Sequence, residues 1–253
     1  MKHLLLPIAA CAAIAPCSSS STDPTPAAVA TDGGDTDSAI VDASAGTQCS
    51  TARDQLLLPI AKISSGVVTV LADAGGTRTL YVDASAGGFQ AAAKSPRIYL
   101  DLGAGTRVAV TDKSAPTSPD WDLSLKRYVI FIKSGDVGSG RGGAKQIPKP
   151  FASVTDAEVA AAATAAESMF DADCNAKTDP TGAPLTTFSA WYDHDEATMI
   201  PSPRPGVTYA VRGGTGRLYE VGIKAYDALP DGGTRNNMST GFFVLEVAEV
   251  VAR

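Results

Sequence analysis

The chain has few of the residues on which common catalytic and metal chemistries depend. Its 253 residues include two histidines, four cysteines and two tryptophans. His3 lies in the N-terminal leader, so a Ser-His-Asp triad would depend on His194, and no Gly-x-Ser-x-Gly elbow accompanies it. No CxxC pair is present, which argues against a structural zinc site. These scarcities argue against triad hydrolysis and against a structural zinc site.

The chain also lacks an excess of positive charge. Its net charge is −6, whereas nucleic-acid binders normally present a basic face. The acidity is concentrated before the main domain, where residues 18–48 contain no Lys or Arg. The acidic residues of that segment are Asp23, Asp32, Asp35, Asp37 and Asp42. We therefore expect no nucleic-acid partner, and we predict that residues 18–50 form a disordered acidic tether rich in Ser, Thr, Asp and Pro.

The N-terminal apolar run is too short to remain across a bilayer. Residues 1–17 have a basic start and an apolar stretch that ends in small residues, which is typical of a secretory signal. Cys17 is followed by serines and a polar, proline-containing segment, which resembles a bacterial lipoprotein signal with a lipidated cysteine. Pro16 departs from the small residue usual before that cysteine. Cys11 is therefore an alternative lipidation site, and a secreted protein cleaved nearby is another reading.

Removal of this signal would leave two cysteines, Cys49 and Cys174. In an oxidising compartment, two remaining cysteines most often pair. We therefore predict a disulfide between them.

Short apolar runs separated by glycine- and proline-rich turns dominate the rest of the chain. This pattern predicts one all-β domain over residues 51–253, a mainly antiparallel sandwich or open barrel. Two strands separated by a turn are expected at Val67–Leu71 and Leu80–Val82, and a final strand at Thr240–Val251. Two hairpins are expected, Arg97–Leu102 with Arg107–Thr111 and Val207–Arg212 with Leu218–Tyr226.

One short alanine-rich helix is expected to interrupt the β pattern. A capping box over Thr155–Glu158 opens it, and the alanine run predicts a helix to about Met169. Pro59 is expected to limit any helix in Asp54–Ile63. Thr187–Tyr192 is predicted as a short strand.

The segment Asp120–Ala144 combines a tryptophan, an apolar strand and a glycine-rich loop. Trp121 is predicted to anchor in a core, and the glycines predict tight turns or a closely approached backbone. The loop lacks the Gly-Lys-Ser/Thr ending of a phosphate-binding loop and does not lead directly into a helix. We therefore interpret it as a structural turn.

His194 is the main candidate for ligand chemistry. It lies among the polar residues 192–196, which favours a solvated loop over a metal site or a metal hydrolase. An iron-porphyrin ligand is a further option, since haem iron takes an imidazole or a thioether on each open face. The candidate thioethers are Met169, Met199 and Met238, with Met169 more typical of packing.

The chain resembles the HmuY family of haem-binding surface lipoproteins over most of residues 79–253. The likeness is sharpest from Trp121 to Ala144 and in the turn Val211-Arg212-Gly213. Further matching segments are LYVDAS at Leu80–Ser85, RVAVTD at Arg107–Asp112 and VGIKAYDA at Val221–Ala228.

This resemblance implies a mostly β lipoprotein on the outer membrane of a Gram-negative bacterium, active in iron acquisition. It would bind haem or another porphyrin without catalysis, and its partners would be a haem carrier of the host or bacterium, or an outer-membrane receptor. The membrane contact would be the lipid anchor only. Of the family's two iron-ligating histidines, one matches His194, between Trp191 and the Val-Arg-Gly turn. The other has no counterpart, so Met169 or Met199 would replace it.

Two alternatives remain open at this point. The missing second histidine favours a surface binding module on the same scaffold for a ligand other than haem, or for a protein partner. A secreted or periplasmic location is the alternative to the outer membrane.

Overall fold

The structure is a computed structural model that describes residues 48–194, 200–231, 233 and 240–251. The strands are β1 Val68–Ala74, β2 Thr77–Asp83, β3 Ile98–Asp101, β4 Thr106–Val108, β5 Leu123–Lys126, β6 Val129–Ile132, β7 Gly143–Ile147, β8 Tyr192–His194, β9 Pro201–Pro203, β10 Thr208–Arg212, β11 Leu218–Ala225 and β12 Phe242–Val250. The helices are α1 Ser50–Leu57, α2 Phe89–Ala92 and α3 Asp156–Ala161, with 3-10 turns at Gly135–Val137 and Phe151–Ser153.

Two antiparallel sheets pack face to face. One has the strand order β1-β2-β12-β11-β10-β7 and the other β4-β3-β5-β6, while β8 and β9 form a separate two-stranded ribbon. Neighbouring strands pair antiparallel in both sheets and in the ribbon. The prediction of a mainly antiparallel all-β domain is therefore confirmed, in its sandwich form.

The main core lies between the two sheets and follows from alternation along the strands. Every second residue of a strand faces the core, because successive side chains point to opposite faces of a sheet. The main core is formed by pairs of such residues from both sheets: Leu80 and Val82, Ile98 and Leu100, Leu123 and Leu125, Ile130 and Ile132, Tyr209 and Val211, and Phe243 and Leu245. These side chains are at most 1% exposed.

Both predicted hairpins are present, and the predicted strand-turn-strand segment before them also forms a hairpin. β1 and β2 turn at Gly75 and Gly76, whose φ angles of 62° and 81° lie in the left-handed region that favours glycine. β3 pairs with β4, and β10 pairs with β11 in register from Thr208 to Arg212. The final strand is β12, which lies in the middle of the larger sheet between β2 and β11.

The predicted alanine helix is much shorter than expected. The capping box is present, because Thr155 Oγ1 accepts from the Glu158 N–H at 3.3 Å and Glu158 Oε2 accepts from the Thr155 N–H at 3.0 Å. The helix ends at Ala161, so Met169 does not lie in it. The reason is tertiary pairing: Ala165 exchanges two backbone hydrogen bonds of 3.0 Å with Ala144, which covers the free edge of β7.

Two further sequence predictions were wrong in detail. One helix was predicted, but the structure has two more, α1 and α2. α1 ends at Leu57 because Leu58 takes a left-handed conformation before Pro59. The predicted strand Thr187–Tyr192 is mostly a turn, since the Ser189 N–H donates to the Thr186 carbonyl at 3.0 Å. The strand there begins at Tyr192.

A second apolar layer covers the outer face of the four-stranded sheet. We call it the outer cluster; its buried members are Tyr99, Ala115, Trp121, Phe131, Val137, Met169 and Phe170, with Leu56 and Leu57 of α1 packed against them. Trp121 is fully buried, and its Nε1–H donates to the Ala115 carbonyl at 2.8 Å. Cys49 and Cys174 form a disulfide at the edge of this layer, with Cα atoms 5.4 Å apart.

The glycine-rich loop after β6 packs against protein backbone. A Cβ on Gly135 would lie 2.0 Å from the Glu167 carbonyl oxygen, and one on Gly140 would lie 2.5 Å from that of Lys133. Close approach of neighbouring chain segments therefore requires these glycines. The loop is a structural element of the outer face, as the sequence interpretation expected.

Candidate functional site

The candidate site is the ribbon formed by β8 and β9, here called the His194 ribbon. Tyr192 pairs with Pro203, Asp193 with Ser202, and His194 with Pro201. Trp191 anchors its base: the indole is 1% exposed in the main core, and its Nε1–H donates to the Tyr128 carbonyl at 2.9 Å. The ribbon therefore extends from the core to the surface at a defined position.

Alternation along β8 puts Tyr192 and His194 on one face. His194 is exposed, and its ring centroid lies 5.1 Å from that of Tyr192 at an interplanar angle of 80°. Tyr192 in turn meets Tyr128 at 5.7 Å and Trp191 at 4.9 Å. These edge-to-face contacts are the geometry that aromatic pairs prefer. An aromatic ladder thus leads from the core to the imidazole.

Asp193 points to the opposite face of the ribbon and is paired with Arg204. Its Oδ1 accepts from Nε of Arg204 at 2.9 Å and from Nη2 at 2.6 Å. This pairing raises the pKa of Arg204. Asp193 is therefore unavailable to orient His194 or to share a metal ion with it.

A shallow recess lies beside Tyr192. Its walls are Tyr128, Tyr192 and the loop from Asp179 to Ser189, and the Tyr128 hydroxyl lies 3.2 Å from Thr181 Oγ1. Partial burial, together with Tyr128 and Asp179, raises the pKa of Tyr192, which therefore stays neutral at physiological pH. The face beside His194 is thus largely aromatic, with the carboxylate of Asp179 among the walls of the recess.

Met169 lies apart from His194. It is fully buried in the outer cluster, whereas Trp191 at the base of the ribbon belongs to the main core. Its backbone is also fixed, since the Met169 N–H donates to Asp136 Oδ2 at 2.7 Å and its carbonyl accepts from the Lys177 N–H at 2.7 Å. The structure therefore makes Met169 a packing residue of the outer cluster.

Several predicted residues lie outside the described part of the chain. These are Cys17, Cys11, Met199, Met238, Asp195 and Glu196. Within the described ranges, no group of three or more His, Cys, Asp and Glu side chains is arranged to hold a metal ion. Sequence reasoning missed Tyr128 and Tyr192 as neighbours of His194. The alternation of Tyr192 and His194 was a signal for one of them, but the contact with Tyr128 depends on tertiary packing.

Comparison with known proteins gives only remote likenesses. No family model matches the chain, and no curated protein matches it. A crystal structure from Bacteroides fragilis, described as a lipoprotein, is 16% identical with a TM-score of 0.44, covering 74% of this chain and 96% of that one. A crystal structure from Bacteroides vulgatus, described as an HmuY-like haem-binding protein, is 16% identical with a TM-score of 0.41. The match covers 74% of this chain and 99% of that one. At these values neither likeness assigns a family or a function to this chain.

Proposed function

We propose that the protein binds an iron porphyrin, with His194 as an axial ligand, and that it catalyses no reaction. The observation that supports this most is the exposed imidazole at the end of the aromatic ladder on the His194 ribbon. The position of His194 between Trp191 and the Val-Arg-Gly turn, where the resembled family has a ligand, agrees with it.

The residues of the ribbon fit one side of a haem group. The exposed imidazole of His194 would supply one ligand to the haem iron. The rings of Tyr192 and Tyr128 would supply apolar surface beside it. The second axial position has no ligand among the described residues near His194, since Met169 is buried elsewhere. We assign that position to Met199 or to an open face.

Titration with hemin tests the proposal. Wild-type protein should sharpen and red-shift the Soret band at one equivalent, and His194→Ala should lose or alter that change. Ser202→Ala is the matched control, because Ser202 is exposed on the same ribbon opposite Asp193 and should leave the spectrum unchanged. Equal spectra for wild type and His194→Ala would contradict the assignment of His194.

A second candidate is a surface module for a ligand other than haem, or for a protein partner. It is favoured by one observation, that the described residues bring a single exposed imidazole and no second ligand to the ribbon. This candidate predicts that hemin in the presence of the protein keeps the spectrum of free hemin. Retention of the protein on bacterial outer-membrane receptor or haem-carrier preparations would then identify the partner class.

We propose that Cys17 carries a lipid that holds the protein on the outer membrane, with the predicted tether between lipid and domain. Cys49 and Ser50, at the end of the predicted 18–50 range, belong to the domain through the disulfide and α1. No helix within the described ranges is both long enough and apolar enough to span a bilayer. The mass of the purified protein before and after alkaline hydrolysis tests the anchor. A loss of acyl mass at Cys17 on hydrolysis supports lipidation of Cys17. A loss at Cys11 would make Cys11 the lipidation site, and the absence of acyl mass would favour a secreted or periplasmic protein.

A further inference from the structure

The outer face of the four-stranded sheet carries a cavity at a gap in a row of aromatic residues. Tyr99 on β3 is paired in register with Ser124 on β5, and Ser124 is paired with Phe131 on β6. These three side chains therefore stand side by side on the face turned away from the main core. Because serine is much smaller than its neighbours, a cavity of about 30 Å³ remains there, which we call the Arg97 cavity.

Arg97 lines this cavity and forms no salt bridge with the described residues, although the nearby charge of Asp112 acts to raise its pKa. The residue is 8% exposed, and its guanidinium carbon lies 4.0 Å above the centre of the Phe131 ring. Its Nη1 is buried and has no hydrogen-bond acceptor within the part of the chain that the structure describes. Burial lowers the pKa of the guanidinium, but arginine keeps its charge in proteins. A buried charge of this kind normally requires a paired or coordinating group.

The carboxylates around the cavity already have other partners. Asp112 Oδ1 accepts from the Arg97 backbone N–H at 3.0 Å and from the Tyr99 hydroxyl at 2.9 Å, and its Oδ2 accepts from the Ile60 N–H at 3.2 Å. Asp54 pairs with Arg53 at 3.2 Å on the exposed side of the cavity. A further positive charge, Lys126, interacts electrostatically with Arg97. Asp112 opposes an incoming anion, so we expect weak binding, in the millimolar range.

A second unpaired donor faces the same space. Ser124 is fully buried, and its Oγ has no hydrogen-bond partner among the described residues. The remaining walls are largely apolar and include Trp121, Phe131 and Val137. We propose that the Arg97 cavity binds one small monovalent anion of the halide type, held between Nη1 of Arg97 and Oγ of Ser124. This site is separate from the His194 ribbon and does not depend on haem binding.

The donors of the cavity decide the class of anion. The space exceeds what one water molecule requires, and its two unpaired groups, Nη1 of Arg97 and Oγ of Ser124, suit a singly charged halide ion. Sulfate is tetrahedral and doubly charged, and these two groups cannot satisfy its four oxygens between largely apolar walls, so it should bind more weakly. Sodium sulfate is therefore the control salt that keeps ionic strength constant.

Bromide is a direct probe of the site. Crystals of the protein soaked in sodium bromide and measured at the bromine absorption edge should show an anomalous peak at hydrogen-bond distance from Nη1 of Arg97. The same peak should be absent from Arg97→Met, a change of similar volume without the charge. Density without an anomalous signal, which indicates water, would overturn the proposal.

Fluorescence gives a solution test, because Trp121 lines the cavity and Trp191 does not. In a Trp191→Phe background, bromide should quench Trp121 in a saturable way at constant ionic strength. Arg97→Met should lose the saturable part, while Arg141→Met, a change of an exposed arginine, should retain it. Saturable quenching that persists in Arg97→Met would contradict anion binding at Arg97. If Trp191→Phe does not fold, the bromide-soaked crystals test the proposal alone.

Discussion

At the scale of single residues, burial raises the pKa of the Glu167 carboxyl group by more than its hydrogen bonds lower it. Its side chain is 3% exposed, and desolvation raises its pKa to about 7 although Thr187 donates to Oε1 from both N–H and hydroxyl, at 3.0 Å and 2.6 Å. Oε2 has no hydrogen-bond partner among the described residues. The folded state therefore holds a proton that the unfolded chain releases near its ordinary pKa of 4.5.

This difference predicts a pH-dependent loss of stability. Because the folded pKa lies above the unfolded one, the native state binds more protons between about pH 4.5 and 7, and stability falls as pH rises through that window. The loss is on the order of 3 kcal/mol and is complete above the folded pKa. Urea unfolding at pH 4.5, 6 and 8 should show a smaller fall for Glu167→Gln than for wild type. Parallel stability curves for the two proteins would contradict the raised pKa.

Gly135 gives a second prediction at this scale. A Cβ there would lie 2.0 Å from the Glu167 carbonyl oxygen, and its φ of 53° already disfavours other residues. Gly182 also has a left-handed φ, of 85°, but nothing lies within 4 Å of its Cβ position. Gly182→Ala should lower the free energy of unfolding by about 1 kcal/mol, from backbone strain alone. Gly135→Ala should lower the free energy of unfolding by at least about 2 kcal/mol more than Gly182→Ala does. If chemical denaturation gives equal losses for the two variants, close approach of the Glu167 carbonyl is not the cause.

At the scale of elements, the sequence predicts what is locally determined. The hairpins β1–β2, β3–β4 and β10–β11 are predictable because their turns and alternation lie in adjacent residues. The start of α3 is predictable for the same reason, since the capping box spans four residues. Its end is not, because the backbone pairing of Ala165 with Ala144 depends on the distant strand β7 and overrides alanine's helix propensity.

The cap of α3 is expected to contribute measurably despite the shortness of the helix. Thr155→Ala removes the acceptor for the Glu158 N–H and disrupts the reciprocal bond. The free energy of unfolding should fall by about 1 kcal/mol. Thr215→Ala, at an exposed turn position, should change it by less than about 0.5 kcal/mol. A loss for Thr155→Ala no greater than that of the control would show that Ala165 and Val159 hold this segment without the cap.

At the scale of the whole domain, the outer cluster is the part that the sequence did not reveal. Trp121 was expected in a core, but the sequence does not show that α1, Met169 and Phe170 cover the second face of the four-stranded sheet. The same limit applies to the site. His194 stands out because histidine is scarce, whereas its neighbour Tyr128 comes from β5–β6 and is brought there by packing.

The disulfide between Cys49 and Cys174 ties α1 to this second layer across 125 residues of chain. Closing so long a loop reduces the conformational entropy of the unfolded chain. The double change Cys49→Ser and Cys174→Ser should lower the free energy of unfolding by about 2–5 kcal/mol, measured in urea. Reduction of the wild type should reproduce the loss. No change in either experiment would mean that the two thiols contribute nothing to the folded state.

Chemical rescue of His194 tests the central proposal most directly. His194→Gly should bind hemin at least about tenfold more weakly than wild type, a loss of about 1.4 kcal/mol, and its Soret band should differ. Added imidazole should occupy the space left by the side chain and restore the wild-type spectrum, while it should leave Ser202→Ala unchanged. A His194→Gly protein that binds hemin with the wild-type affinity and spectrum in the absence of imidazole would contradict axial ligation by His194.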